Sequence, residues 1–166
     1  HPDIEKFITA KDGNKALRNF NISVLIMGDF WKYYESDEPY PLVNPKDGKV
    51  VRHVSPRALF DKIVYQAWES AEPGVIFFDR VNDYNPFYEH LGPIVTTNHC
   101  GEVLLYPNEP CNLGSINVWA FAKKDEETGE TTVDWDGLKA VTMSCTRFLD
   151  NVIDVNNFPL KSIEER

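Results

Sequence analysis

An amide, a thiol and a carboxylate occupy alternate positions in Asn98-His99-Cys100-Gly101-Glu102, and a second thiol, Cys111, follows eleven residues after the first. Such a set gathers a hydrogen-bond donor, a reactive sulfur and a proton acceptor within one short stretch. In an extended segment, side chains two apart point to the same face, so Asn98, Cys100 and Glu102 are expected to line one surface. A polyhydroxylated, sugar-like substrate suits them: the amide holds a hydroxyl, the carboxylate takes its proton, and the sulfur performs the harder step. Cys111, between Pro110 and Asn112-Leu113-Gly114, lies in irregular backbone, where a side chain can be aimed at a site. Two thiols in this setting point to redox chemistry.

Other chemistry-bearing residues read differently. Cys145 falls on the apolar stripe of a helical segment and reads as packing. His90, His99, Cys100 and Cys111 lack the close paired spacing of a zinc site, so no metal centre is expected. Asp79, Asn82 and Asn85 follow an apolar strand, where α/β folds place their sites. They serve equally well as turn residues that close the strand. No phosphate-binding glycine loop, nucleotide fingerprint or Ser-His-Asp set is present.

The elements that must position these groups are legible from periodicity. A helix is expected over 1–10, with Ile4, Phe7 and Ile8 on one face and a turn at 11–14. The apolar run 20–27 reads as a strand covered on both sides. Asp29 is placed as the cap of a short aromatic helix reaching Tyr34, and Pro39, Pro41 and Pro45 mark a surface loop. Ser55-Pro56 reads as an N-cap with proline at the first helical position. The helix it opens, to about Ser70, carries Leu59, Phe60, Ile63, Val64 and Ala67 toward the core. A second strand, 75–78, then implies parallel βαβ construction. A polar loop spans 82–93, and a charged hairpin or loop spans 123–131. The last helix, 134–156, turns Leu138, Val141, Cys145, Phe148, Val152 and Val155 inward. Composition shows no boundary, so 1–166 is expected to be one segment.

The 166 residues suffice for one ordinary domain, and 42% hydrophobic content excludes a disordered chain. A net charge of −9 argues against nucleic-acid binding. No apolar run approaches the roughly 20 residues that span a bilayer, and no signal peptide is seen at the acidic, mixed N-terminus. Three cysteines without framework spacing fit a reducing compartment, with cytoplasm the expectation.

Six blocks in order carry a family resemblance: HPDIEKFITAK (1–11), NFNISV (19–24), EPGVIFFDRVNDYNP (72–86), TNHCGE (97–102), PCNLGSIN (110–117) and RFLDNVIDVNNFP (147–159). Together they resemble the large catalytic subunit of ribonucleotide reductase, most nearly the adenosylcobalamin-dependent class II type over the iron-dependent class I. The resemblance implies an α/β fold: two to three βα units and a finger loop, about 94–111, belonging to a ten-stranded α/β barrel. It implies that Cys100 forms the thiyl radical that abstracts the 3′ hydrogen of a ribonucleoside di- or triphosphate. It further implies that Glu102 acts on the 3′ hydroxyl as base, that Asn98 binds the sugar hydroxyls, and that Cys111 is one half of the reducing dithiol. Adenosylcobalamin, an external dithiol reductant such as thioredoxin, and homo-oligomerisation when complete belong to the same implication.

Two departures accompany it. His99 stands where the family usually carries proline or an apolar residue; lying between motif positions, it is expected to point away and to affect loop stiffness more than chemistry. The chain also covers only the centre of the family pattern. It is therefore read as part of a larger or split enzyme, completed by the remainder of the chain or by a complementing subunit, inactive alone and prone to self-association. A non-catalytic binding or scaffold module, and a stand-alone thiol oxidoreductase using Cys100 and Cys111, are the alternatives.

Overall fold

In the computed structural model, which describes residues 1–14 and 16–165, the chain opens with a short helix, α1 (Ile4–Ile8). It is shorter than the expected 1–10, because Ile8 is buried while Phe7 faces outward and no further apolar residue prolongs the stripe. A 3-10 turn, Asp12–Asn14, follows, with Gly13 at φ 65° taking the left-handed conformation that glycine adopts freely.

Strand β1 (Ser23–Ile26) comes from the centre of the expected apolar run. Helix α2 (Gly28–Ser36) is capped by Met27 and not by Asp29. Asp29 sits inside the first turn, where a carboxylate favours the helix dipole, and its Oδ1 accepts from the Tyr40 hydroxyl at 3.5 Å. Pro39 and Pro45 lie in connecting loop and turn as expected, but Pro41 lies within β2 (Tyr40–Val43), which forms an antiparallel hairpin with β3 (Val50–Val54). A two-stranded ribbon leaves one edge of β2 unpaired, so Pro41 needs no ladder N–H there.

Helix α3 (Pro56–Ser70) starts as expected, with Ser55 Oγ accepting from the Ala58 N–H at 3.3 Å. Its buried stripe is Pro56, Leu59, Ile63 and Gln66, while Val64 is exposed. Residue 64 lies one step, about 100°, around the helix from residue 63 and so leaves the stripe. Strand β4 (Gly74–Phe77) then pairs with β1 in parallel, from Ser23 opposite Gly74 to Ile26 opposite Phe77. Val24 and Ile26 on one face of β1 join Ile8, Phe30, Leu59 and Ile63 in the core. Each such burial contributes about 1.5–3 kcal/mol. Edge-to-face contacts among Phe30, Trp31, Tyr34 and Phe60 extend it between α2 and α3.

The expected polar loop at 82–93 overlaps two short helices, α4 (Phe78–Asp83) and α5 (Tyr88–Leu91). Strands β5 (Thr96–Thr97) and β6 (Leu104–Leu105) follow as an antiparallel pair.

Contacts divide the chain into two compact units, His1–Pro107 and Asn108–Arg166, although composition shows no boundary. The second unit holds a 3-10 turn (Val118–Phe121), the antiparallel pair β7 (Ala122–Lys124) and β8 (Thr131–Val133), helix α6 (Trp135–Val155) and α7 (Lys161–Glu164). The charged hairpin is as expected. Helix α6 has the expected length and is capped by Asp134, which accepts from the Gly137 N–H at 3.1 Å. Its apolar face, however, is not interior: no residue of α6 is buried, and Val141, Phe148 and Val155 are exposed. The second unit has too little chain to cover it.

The architecture is mixed α/β with one parallel pair, β1 and β4; the other pairs are antiparallel. That is one βα unit where two to three were expected, and no barrel closes among the described residues. Nor, among them, is any helix long and apolar enough to cross a membrane.

A buried ion pair ties the first unit together. Lys11 donates to Glu72 and to the Phe20 carbonyl, and Glu72 also accepts from the Ile22 N–H at 3.1 Å. The Lys11 ammonium, against burial, holds the Glu72 carboxyl below its ordinary range. Removing one partner leaves the other charge uncompensated, so Lys11→Met is expected to destabilise the fold by about 3 kcal/mol. Because Glu72 is lowered in the folded state, its stabilising effect is full above the unfolded carboxylate pKa and is lost as pH falls through the lower folded value. Urea midpoints measured between pH 7 and pH 3 check both points: the variant should start lower and lose less of its stability on acidification.

Candidate active site

Residues 98–103 connect β5 to β6 as a tight turn and not as the extended segment expected. The Asn98 N–H donates to the Val103 carbonyl at 3.2 Å, and the Gly101 N–H donates to the Asn98 carbonyl at 3.2 Å. Gly101 has φ 82°, a conformation that side chains oppose. Cys100 is thereby carried near the tip, exposed. Asn98 and Glu102 still meet, but across the turn: Asn98 Nδ2 donates to Glu102 Oε1 at 2.6 Å, while Asn98 Oδ1 accepts from the Val103 N–H at 3.1 Å. One amide thus closes the turn and orients the carboxylate. Its second Nδ2 hydrogen stays available to a substrate oxygen.

Beside the turn lies a cavity of about 440 Å³. Asn21, Ser23 and Leu25 line it from β1 and the residues leading into that strand, Ile76 and Phe78 from β4 and the start of α4, and Thr96, Thr97, Asn98 and His99 from the turn side. Strand alternation explains the split: Val24 and Ile26 face the core, so residues 21, 23 and 25 face the cavity. The apolar run is therefore covered by helices on one side and borders a cavity on the other. His99, expected to point away, is among the residues that line the cavity.

Asn82 and Asn85 resolve toward structure. Asn82 donates to the carbonyls of Phe78 and Ile94 at 3.0 and 3.2 Å and accepts from the Ile94 N–H at 2.8 Å. Asn85 donates to the Gly92 carbonyl at 3.2 Å and accepts from the Tyr106 hydroxyl at 2.7 Å. They staple the entry to β5 and so hold the turn in place. Asp79 approaches the start of α2 so closely that a Cβ on Gly28 would lie 1.8 Å from its Oδ2.

A contact that motif reading missed is Asn21 Nδ2 to Cys100 Sγ, 3.7 Å across 79 residues of sequence. The available signal was a polar residue, Asn21, in phase with Ser23 at the mouth of an apolar strand.

Cys111 lies in the second unit, exposed, in a cavity of about 480 Å³ lined also by Asn112, Val152, Ile153 and Phe158. Asn112 Nδ2 donates to the Leu149 carbonyl at 2.9 Å and anchors this segment on α6. Cys145, also a free thiol, is half-buried on α6. Among the described residues no group of three or more His, Cys, Asp or Glu is placed to hold a metal ion.

The family model described as "Ribonucleotide reductase, barrel domain" matches residues 1–166. The chain belongs to the ribonucleotide reductase barrel-domain family. Among its relatives, the vitamin B12-dependent ribonucleoside-diphosphate reductase of Thermoplasma acidophilum is 43% identical over 166 residues, covering 99% of this chain and 21% of that protein. The enzyme of the same name from Mycobacterium tuberculosis (strain H37Rv) is 41% identical, again over 99% of this chain and 22% of that protein. The vitamin B12-dependent ribonucleotide reductase of Agrobacterium fabrum is 32% identical over 164 residues, 12% of its length. The chain thus spans less than a quarter of each of these reductases. As a stretch of the barrel domain, it has reason to hold one parallel strand pair without closing a barrel.

Proposed function

We propose that this chain forms the thiyl-radical centre of an adenosylcobalamin-dependent ribonucleotide reductase, acting within a larger or split cytoplasmic enzyme on a ribonucleoside diphosphate. The observation that carries the reading is the 2.6 Å bond from Asn98 to Glu102 across the turn that bears Cys100, beside a cavity lined by both polar and apolar residues. The diphosphate preference follows the Thermoplasma acidophilum and Mycobacterium tuberculosis relatives, both ribonucleoside-diphosphate reductases.

Cys100 fits a radical-supplying cofactor in one respect that this chain can supply, an exposed S–H at a turn tip, and it is the residue that would face that group. Adenosylcobalamin would supply the radical chemistry when bound, and Cys100 is the residue that would give up its thiol hydrogen to it. In this reading the Cys100 sulfur then removes the 3′ hydrogen of the ribose. Glu102, already ordered by Asn98, accepts the proton of the 3′ hydroxyl, and the remaining Asn98 N–H holds a sugar oxygen. The 2′ hydroxyl takes a proton and departs as water. Once C2′ is reduced, the hydrogen held on Cys100 returns to C3′ and the Glu102 proton returns to the 3′ oxygen, which restores the sulfur radical. Cys111 and a partner thiol from the rest of the enzyme provide two electrons and two protons and end as a disulfide, which an external dithiol such as thioredoxin reduces.

The test is deoxynucleotide formation by the complete enzyme with adenosylcobalamin, a dithiol and each of the four ribonucleoside diphosphates. Product that requires both cofactor and dithiol is expected. The 166-residue chain alone should give none, since one parallel strand pair cannot enclose a substrate. Turnover without cobalamin would remove the cofactor from the reading, and no turnover with any ribonucleotide would end it.

A further inference from the structure

We propose that Asn21 is a positioning residue for Cys100: its side-chain amide donates to the Cys100 sulfur, and a buried ion pair grips the backbone on both sides of Asn21 to hold that amide in place. The inference rests on the reading of Cys100 as the reacting thiol.

The contact is 3.7 Å from Asn21 Nδ2 to Cys100 Sγ, within reach for an N–H donor and the larger sulfur acceptor. Among the described residues no second hydrogen bond fixes the direction of the sulfur, and the turn alone leaves a side chain at its tip free to rotate. An amide on the segment leading into β1 selects one rotamer, the one that brings the sulfur to Asn21. Asn21 lines that cavity itself.

Asn21 is exposed, so packing does not hold it. Its neighbours are held instead. The Phe20 carbonyl, just before it, accepts from Lys11, and the Ile22 N–H, just after it, donates to Glu72 at 3.1 Å. Lys11 and Glu72 pair with each other. The Ile22 carbonyl accepts from the Gly74 N–H at 3.0 Å, which registers the segment against β4. Both peptide units flanking Asn21 therefore have fixed partners, and a short side chain on such a backbone has few places to put its amide. This also gives the Lys11–Glu72 pair a task beyond stability, since its charges order the approach to β1.

The experiment uses the complete enzyme with Asn21→Ala and Asn21→Asp, the latter nearly isosteric but replacing a donor by a negative charge. Alkylation of Cys100 by iodoacetamide, followed peptide by peptide, reads the contact without any need for turnover. An amide donor favours charge on the attacking sulfur and a carboxylate opposes it. Cys100 should react about threefold more slowly in Asn21→Ala and on the order of tenfold more slowly in Asn21→Asp, with the rate at Cys145 unchanged. In the reductase assay, kcat should fall about tenfold in Asn21→Ala while KM holds; a general loosening of the turn would move both. Unchanged Cys100 alkylation in both variants overturns the proposal, whatever the activity. Slowed alkylation in an enzyme whose Cys100→Ser form still turns over would keep the contact and overturn the reductase reading instead.

Discussion

Cys100→Ser in the complete enzyme is expected to abolish deoxynucleotide formation, a loss on the order of 10⁴-fold or more. Serine keeps the size and a hydrogen-bonding hydroxyl, so the turn set by Asn98, Gly101 and Val103 has no reason to change. What is lost is the S–H bond, weak enough to exchange a hydrogen atom with carbon; the stronger O–H bond cannot. Alanine should be equally inactive. Substrate affinity, measured by equilibrium binding of a ribonucleoside diphosphate, should change little, because the cavity proposed to take the substrate is lined by other residues. This pairing of dead chemistry with intact binding separates an enzyme from a scaffold module, which has no turnover to lose. It also separates a radical mechanism from a stand-alone thiol oxidoreductase. The latter needs a reversible Cys100–Cys111 disulfide in the isolated chain; a radical-carrying Cys100 must stay reduced. Residual turnover in Cys100→Ser above about one per cent of the parent would remove Cys100 from the reaction's centre.

What was legible in the sequence followed from strong local chemistry. Ser55-Pro56 fixed the start of α3 because a hydroxyl acceptor and a preset φ both act within one turn. The long spacing of apolar residues before Asn156 fixed the length of α6. That Asn98 and Glu102 lie side by side was readable too.

The reason they meet was not readable. Alternation in a strand was the expected cause, whereas the actual one is a turn whose geometry Gly101 permits. Short glycine-containing segments serve either role, and only the pairing of Thr96 with Leu105 decides between them. Pro41 misled for a related reason: an unpaired strand edge tolerates what a strand interior forbids. The α6 stripe was correctly apolar and still lies exposed, because periodicity reports which face seeks cover and says nothing of where the cover comes from. Asn21 escaped notice since its partner is 79 residues away in sequence, and no local pattern encodes that distance.

Glu102→Gln should lower kcat by about 10²–10⁴-fold with KM little changed, the range expected when a positioned base is removed. The glutamine Oε1 can accept from Asn98 Nδ2 as the carboxylate now does at 2.6 Å, so the turn and the cavity wall it forms should survive. The loss would then be of proton acceptance alone. Glu102→Ala removes the acceptor as well and frees Asn98 to rotate, so it should lower kcat at least as far and also raise KM, since Asn98 would no longer present its second N–H at a fixed place. Asn98→Ala completes the comparison: the Val103 N–H loses its side-chain partner and Glu102 loses its orientation, so kcat and KM should both suffer. The ordering matters more than any single value. If Glu102→Gln affected KM as strongly as Asn98→Ala, Glu102 would be a brace for the turn and the base would have to be sought elsewhere. If kcat alone falls in the glutamine variant while both parameters move in the two alanine variants, the division of labour across the turn stands: Asn98 orients, and Glu102 takes the proton.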